Sequence, residues 1–376
     1  MRTLLPIFSL LFLTLNLNAQ DPQLEEQIRA TVVSLPEGAE VSIGILDRGT
    51  EKTLGYSIHA GALKSEENQD RLFEIGSITK TFTASILMQH IRDGEMHLND
   101  PVQNHLPEHA IRQPEFQGQS IELRHLATHS SGLSTGPGSF FFPFLVNKFV
   151  QPSNPYRLIR AKHFLKYLKK FELDYTPGEK WEYSNTGYGL LGYLLEQNNA
   201  SWEEQVQSGI LTPLNMDNTF FKIGKEQKSN LVQGHNEKGK KTGLWEMDFI
   251  NPAGCMKSCA TDMLKYLKAQ VEPQPEASLA FIQDTHQDMG VKLPQEDLQM
   301  AIAWVQKIAD DGSRIYWHNG GTGGYYAFTA FNPATEQGLV ILTNYKGTHP
   351  GMRTADNKNK IMQLGLDLME RMAAEI

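Results

Sequence analysis

Ser77 and Lys80 place a hydroxyl and an amine three positions apart, in Ser77-Ile78-Thr79-Lys80. On a helix, positions i and i+3 share a face, so the amine can reach the hydroxyl oxygen. A serine becomes a nucleophile near pH 7 only when an adjacent base takes its proton. An amine does this once desolvation or a cationic neighbour lowers its pKa from about 10.4. The S-x-x-K spacing occurs once in the chain. Tyr183-Ser184-Asn185 is the second candidate, and Y-x-N is also unique. A phenol donates a proton at pH 7, and beside a lysine ammonium its ionised form is favoured and acts as a base. The Asn185 carboxamide suits holding Lys80 or a substrate amide carbonyl. The third is Trp317-His318-Asn319-Gly320-Gly321-Thr322-Gly323-Gly324. Its four glycines permit close backbone approach to a ligand. A main-chain N–H there, paired with that of Ser77, would form an oxyanion hole for acyl transfer.

The elements that must position these groups follow from periodicity. Phe82, Ile86, Leu87 and Ile91 lie on one face of a helix that Ser77 opens and Gly94 stops. Residues 24–33 also read as helix, and 41–47 and 53–57 as a hairpin around Arg48-Gly49-Thr50. Helical patterns dominate from Asn99 to about Leu214, at 123–128, 158–171 and 187–197, punctuated by proline and glycine. Strands return at 301–306, 314–317, 325–331 and 339–343, and 359–372 closes as an amphipathic helix. The order predicts an α+β fold: an antiparallel sheet flanked by helices and built from both chain ends. The expected division is 20–98 plus 245–376 as sheet domain and 99–244 as a mostly helical insertion. No fixed-period repeat is present.

Residues 1–19 read as a secretory signal, with basic Arg2, an apolar stretch from Leu4 to Leu17, and a cleavage site at Leu17-Asn18-Ala19. The apolar stretch is short for a bilayer span, so no stable membrane span is expected after its removal. The mature chain is then exported, to the periplasm or beyond. The net charge of −8 gives no footprint for nucleic acid. The lysines from Lys222 to Lys241 are interrupted by Glu226 and Glu237 and read as a solvated loop. Cys255 and Cys259 either pair or stay free, and the short loop would gain little from pairing.

Two other motifs compete. Gly132-Leu133-Ser134-Thr135-Gly136 fits a nucleophile elbow, which needs a strand before it, whereas a helical pattern precedes it here. His125 and His129 are spaced i, i+4, without the glutamate of H-E-x-x-H. His129 reads better as a buried residue holding the turn before Gly132. No metal and no cofactor is expected. Five phenylalanines between Ser139 and Val150 would wall an acyl pocket, contact a membrane surface or pack within the insertion.

Taken together, the three candidate stretches resemble the serine β-lactamase and penicillin-binding-protein-like family, in its class C branch. Residues 73–80, residues 121–133, Pro177-Gly178-Glu179 with Tyr183-Ser184-Asn185, and His318-Asn319-Gly320 carry the resemblance, which runs from about Val41 to Asn344. It implies Ser77 as acylated nucleophile, Lys80 and Tyr183 as proton-transfer pair, and Asn185 as binder of the substrate amide. Gly321 with Ser77 would supply the oxyanion-hole N–H groups, and His318 with Asn319 would meet the substrate. The family's third motif carries lysine-threonine-glycine or histidine-threonine-glycine. A histidine of pKa near 6.5 would attract a substrate carboxylate less as pH rises through about 6 to 7. The implied substrate is a D-alanyl peptide, a small ester or a β-lactam. A catalytically silent binding protein is the remaining alternative, and the oligomeric state is not readable.

Overall fold

The computed structural model describes residues 22–106, 115–133, 156–197, 200–273, 277–295 and 297–374, with positions 146 and 154. The signal segment and the Phe-rich stretch lie outside the described residues, as does Ser134 of the elbow motif.

Nine antiparallel strands form the main sheet. In chain order they are β1 Glu40–Asp47, β2 Thr50–His59, β3 Ala62–Ser65, β4 Val291–Lys292, β5 Leu298–Met300, β6 Val305–Ile308, β7 Arg314–Gly321, β8 Tyr326–Asn332 and β9 Gln337–Thr343. Their order across the sheet is β3-β2-β1-β9-β8-β7-β6-β5-β4. The amino-terminal hairpin thus pairs with the last strand: Val41 faces Thr343 and Asp47 faces Gln337. Sheet strands come from both chain ends, as the element order predicts.

Period-two alternation sorts the side chains into two cores. Ile43, Ile45, Phe328, Ala330, Leu339 and Ile341 enter an outer cluster with the helices Pro22–Val32 and Lys360–Ala374. Leu46, Ala327, Phe331, Val340 and Leu342 enter an inner cluster. That cluster continues through the helices Thr79–Arg92, Leu123–Ala127, Asn185–Leu195 and Ala260–Val271. Sheet and helical region therefore share one inner core.

Two details differ from the sequence pattern. Residues 301–306 are not one strand: β5 ends at Met300, Ala303 takes φ 68°, and β6 begins at Val305. The glycine-rich stretch is not a loop throughout. β7 runs on to Gly321, and the turn occupies only residues 322–325. Close approach explains this. A Cβ on Gly320 would stand 1.8 Å from the Ile75 carbonyl oxygen and 3.0 Å from Ser77 N. Only a bare backbone lets this strand lie against the turn that carries Ser77.

Candidate active site

Ser77 sits in a 3-10 turn, Gly76–Ile78, that feeds directly into the helix Thr79–Arg92. Gly76 takes φ 51°, a conformation that side chains disfavour. The next helical turn carries Lys80, which is completely buried. Its Nζ lies 3.1 Å from Ser77 Oγ, 2.8 Å from Asn185 Oδ1 and 2.7 Å from the Ala253 carbonyl oxygen. Tyr183 donates its hydroxyl to Ser77 Oγ at 2.6 Å. Asn185 begins the helix Asn185–Leu195, which Ser184 caps by accepting the Gly187 N–H at 2.8 Å. Residues separated by more than a hundred positions thus converge on one oxygen.

Burial sets the protonation of the pair. Desolvation lowers the Lys80 ammonium well below its ordinary pKa. Desolvation also raises the Tyr183 phenol, and its bond with Ser77 opposes this. Both shifts favour an amine with an un-ionised phenol. This corrects the expectation of a phenolate beside an ammonium. Asn185 Oδ1 and the Ala253 carbonyl take two amine protons, which leaves the Lys80 lone pair to Ser77. The rings of Tyr183 and Tyr188 lie 4.8 and 5.5 Å from Nζ.

A second main chain reaches the Ser77 turn from β7. A Cβ on Gly76 would meet Gly321 N at 2.8 Å, so the main chains at Ser77 and Gly321 stand side by side. The β6 ladder stops at Trp317, whereas β8 continues to Gly321. Among the described strands, His318–Gly321 are paired along one edge only.

His318 faces the inner side with Tyr316 and is buried; its Nδ1–H donates to the Asn319 carbonyl at 2.7 Å. Desolvation first, then Lys80, pushes its pKa down to about 3, against the Asn319 bond. The predicted titration between pH 6 and 7 is therefore corrected: His318 is neutral across that range. The Asn319 side chain lies elsewhere. Alternation places its side chain on the outer face with Trp317 and Phe328, where it bonds the Tyr326 phenol. It offers the site its main chain.

A cleft of about 200 Å³ is lined by Ser77, Tyr183, Asn185, Gly321 and Gly254, with walls from Tyr156, Trp245 and Met247. A larger hollow of about 850 Å³ shares Trp245 and Met247 but has none of the Ser77 cluster in its lining. Of these two spaces, only the smaller is lined by the Ser77 cluster. The sequence pattern missed Tyr156, which contacts the Asn185 side chain. It also missed buried Glu74, whose carboxylate accepts the Trp245 N–H and the Thr322 hydroxyl, both at 2.7 Å, and lies 3.9 Å from buried Lys257. The available signal was an acid between Phe73 and Ile75 in an apolar stretch. Cys255 and Cys259 are buried and unpaired. Among the described residues no group of histidine, cysteine and acidic side chains could hold a metal ion, and no helix is long and apolar enough to cross a membrane.

This architecture is shared with known structures. A class C beta-lactamase superposes with TM-score 0.74 at 19% identity, covering 96% of this chain and 98% of that one. The octameric penicillin-binding protein homologue from Pyrococcus abyssi gives 0.72 at 23% identity, covering 94% and 77%. Beta-lactamase/D-alanine carboxypeptidase from Pseudomonas syringae gives 0.74 at 19%, covering 93% and 98%. In sequence, the chain is 24% identical over 295 residues to protein flp of Staphylococcus aureus, covering 77% of this chain. It spans only about half, 56%, of that relative's length. It is also 24% identical over 335 residues to a beta-lactamase of Lysobacter lactamgenus, covering 81% of this chain and 82% of that protein. The family model described as Beta-lactamase matches residues 28–361, and the chain belongs to that family.

Proposed function

We propose that the protein is an exported serine hydrolase that cleaves an amide or ester through an acyl-Ser77 intermediate, with a D-alanyl peptide or small ester as substrate. One observation carries this reading: Ser77 Oγ lies between the Tyr183 hydroxyl at 2.6 Å and the buried Lys80 amine at 3.1 Å. Lys80 takes the Ser77 proton as Oγ attacks the carbonyl carbon. The N–H groups of Ser77 and Gly321 receive the developing oxyanion. Collapse expels the amine or alkoxide, which takes its proton from Tyr183, and Lys80 returns the proton to Tyr183. Water then attacks the ester by the reverse relay. Asn185 and the one-sided edge of β7 hold the substrate's amide groups. His318, neutral with its proton on Nδ1, leaves Nε2 able only to accept a hydrogen bond there and brings no charge, so strong attraction of a β-lactam carboxylate is not built into this strand.

Purified protein should be labelled by a fluorescent penicillin or a fluorophosphonate, with the adduct mapped by mass spectrometry. Turnover of a D-Ala-D-Ala peptide, nitrocefin and short p-nitrophenyl esters then ranks the substrates. An adduct on Ser77 with peptide or ester turnover supports the reading. Efficient nitrocefin turnover would make it a β-lactamase, and no adduct would make it a binding protein.

A further inference from the structure

Tyr183 lies in residues 181–184, which belong to neither helix nor strand. Its phenol nevertheless meets Ser77 Oγ at 2.6 Å. Something outside regular structure must aim it. We infer that His129 is the positioning residue for Tyr183, an inference that rests on the serine-hydrolase reading above.

His129 grips the main chain on both sides of Tyr183. Its carbonyl oxygen accepts the Glu182 N–H at 2.7 Å. Its Nδ1 accepts the Ser184 N–H at 3.0 Å. Its ring lies against the Tyr183 ring, with centroids 4.3 Å apart. One residue therefore fixes the amides before and after the tyrosine and the ring between them.

The local backbone makes this possible. His129 takes φ 57°, in the left-handed region. That conformation turns its carbonyl and its side chain toward the same neighbouring segment. The turn around it is docked at two further points. Ser130 O accepts the Gly178 N–H at 2.8 Å, and Ala127 O accepts the Tyr188 hydroxyl at 2.7 Å. With 1% of its surface exposed, the ring has no room to swing away. Because Nδ1 accepts a bond, the ring proton resides on Nε2, and burial keeps the imidazole neutral so that Nδ1 stays an acceptor.

The experiment compares His129→Ala and His129→Asn, each alone and with Tyr183→Phe. Asparagine tolerates the left-handed backbone and carries an oxygen near the place of Nδ1. The readouts are the Ser77 acylation rate constant, KM, and the melting temperature. His129→Ala should slow acylation on the order of 10- to 100-fold, with KM changed less than about twofold. His129→Asn should recover most of the loss. In the Tyr183→Phe background, His129→Ala should add less than about twofold, because the phenol it aims is gone. The thermal effect should persist in both backgrounds. Equal losses with and without the Tyr183 hydroxyl, or an unchanged acylation rate in His129→Ala, would overturn the inference. A wild type that never acylates at Ser77 would sink the hydrolase reading instead. The 13Cζ resonance of Tyr183 then decides the inference alone: both variants lose the ring current of the imidazole, so it should move further in His129→Ala than in His129→Asn, and equal shifts in the two refute it.

Discussion

The Lys80 amine bonds the main-chain carbonyl of Ala253 at 2.7 Å, across 173 positions of sequence. That carbonyl accepts only, so it takes one amine proton permanently. Asn185 takes a second. The remaining direction of Nζ belongs to Ser77.

Replacing either end of this relay should stop the chemistry and spare the fold. Ser77→Ala should lower acyl transfer by on the order of 10³-fold or more. Lys80→Ala should cost a similar factor, and the double variant little beyond either single one. Stopped-flow acylation and thermal melting measure both halves. Near wild-type turnover by pure Ser77→Ala protein would remove Ser77 from the mechanism.

The pH profile should be set by Lys80 and not by His318. The amine must be neutral to act, so kcat/KM should fall as pH drops through its lowered pKa and stay high above it. His318, at about 3, contributes no limb between pH 5 and 8. A carboxylate-bearing peptide and a neutral ester should therefore trace parallel profiles over that range. A decline from pH 6 to 7 confined to the charged substrate would place His318 near its ordinary pKa.

Gly320→Ala should disable the oxyanion hole. Its Cβ would overlap the Ile75 carbonyl oxygen, so β7 must withdraw from Ser77. Acylation should drop by on the order of 10²-fold or more. The strain should also cost on the order of 2 kcal/mol or more in urea unfolding. An alanine variant with wild-type acylation would show that the strand does not supply the donor.

Acid should unfold the protein through its histidines. Burial lowers His125 and His286 to about 4 and His318 to about 3. Below the ordinary value of about 6.5, the unfolded chain takes up protons that the folded chain refuses. Stability is therefore lost as pH falls from about 6.5 toward 4. The slope should be on the order of 2–4 kcal/mol per pH unit near pH 5. Glu74, raised by burial, works against it. Urea titrations at pH 7, 6 and 5 measure the slope, and a flat result would mean that these rings protonate in place.

Local spacing made much of the fold and site legible. Ser77 and Lys80 meet because helical geometry makes i and i+3 neighbours. Alternation in 339–343 revealed a strand, and the three glycine, lysine and tyrosine stretches marked where chemistry gathers. Long-range packing was not legible. Nothing near Ala253 signals that its carbonyl will hold an amine from residue 80. His318 has an ordinary neighbourhood in sequence, and only its burial against Lys80 removes its titration from neutral pH. Asn319 is one position beyond His318, and the pleat alone sends it to the other face. Gly320 was read as allowing close approach to a ligand, whereas what it lets approach is the turn at Ile75.

The pairing of Ser77 with Gly321 also has a consequence for biosynthesis. A polypeptide interrupted between residues 77 and 321 carries Ser77 without the second N–H, and β8 and β9, which hold β7 in register, come later still. On the proposed reading, a chain emerging from the ribosome therefore has no complete site until β9 has followed β7 and β8. A product truncated in that interval should hold Ser77 and yet resist acylation.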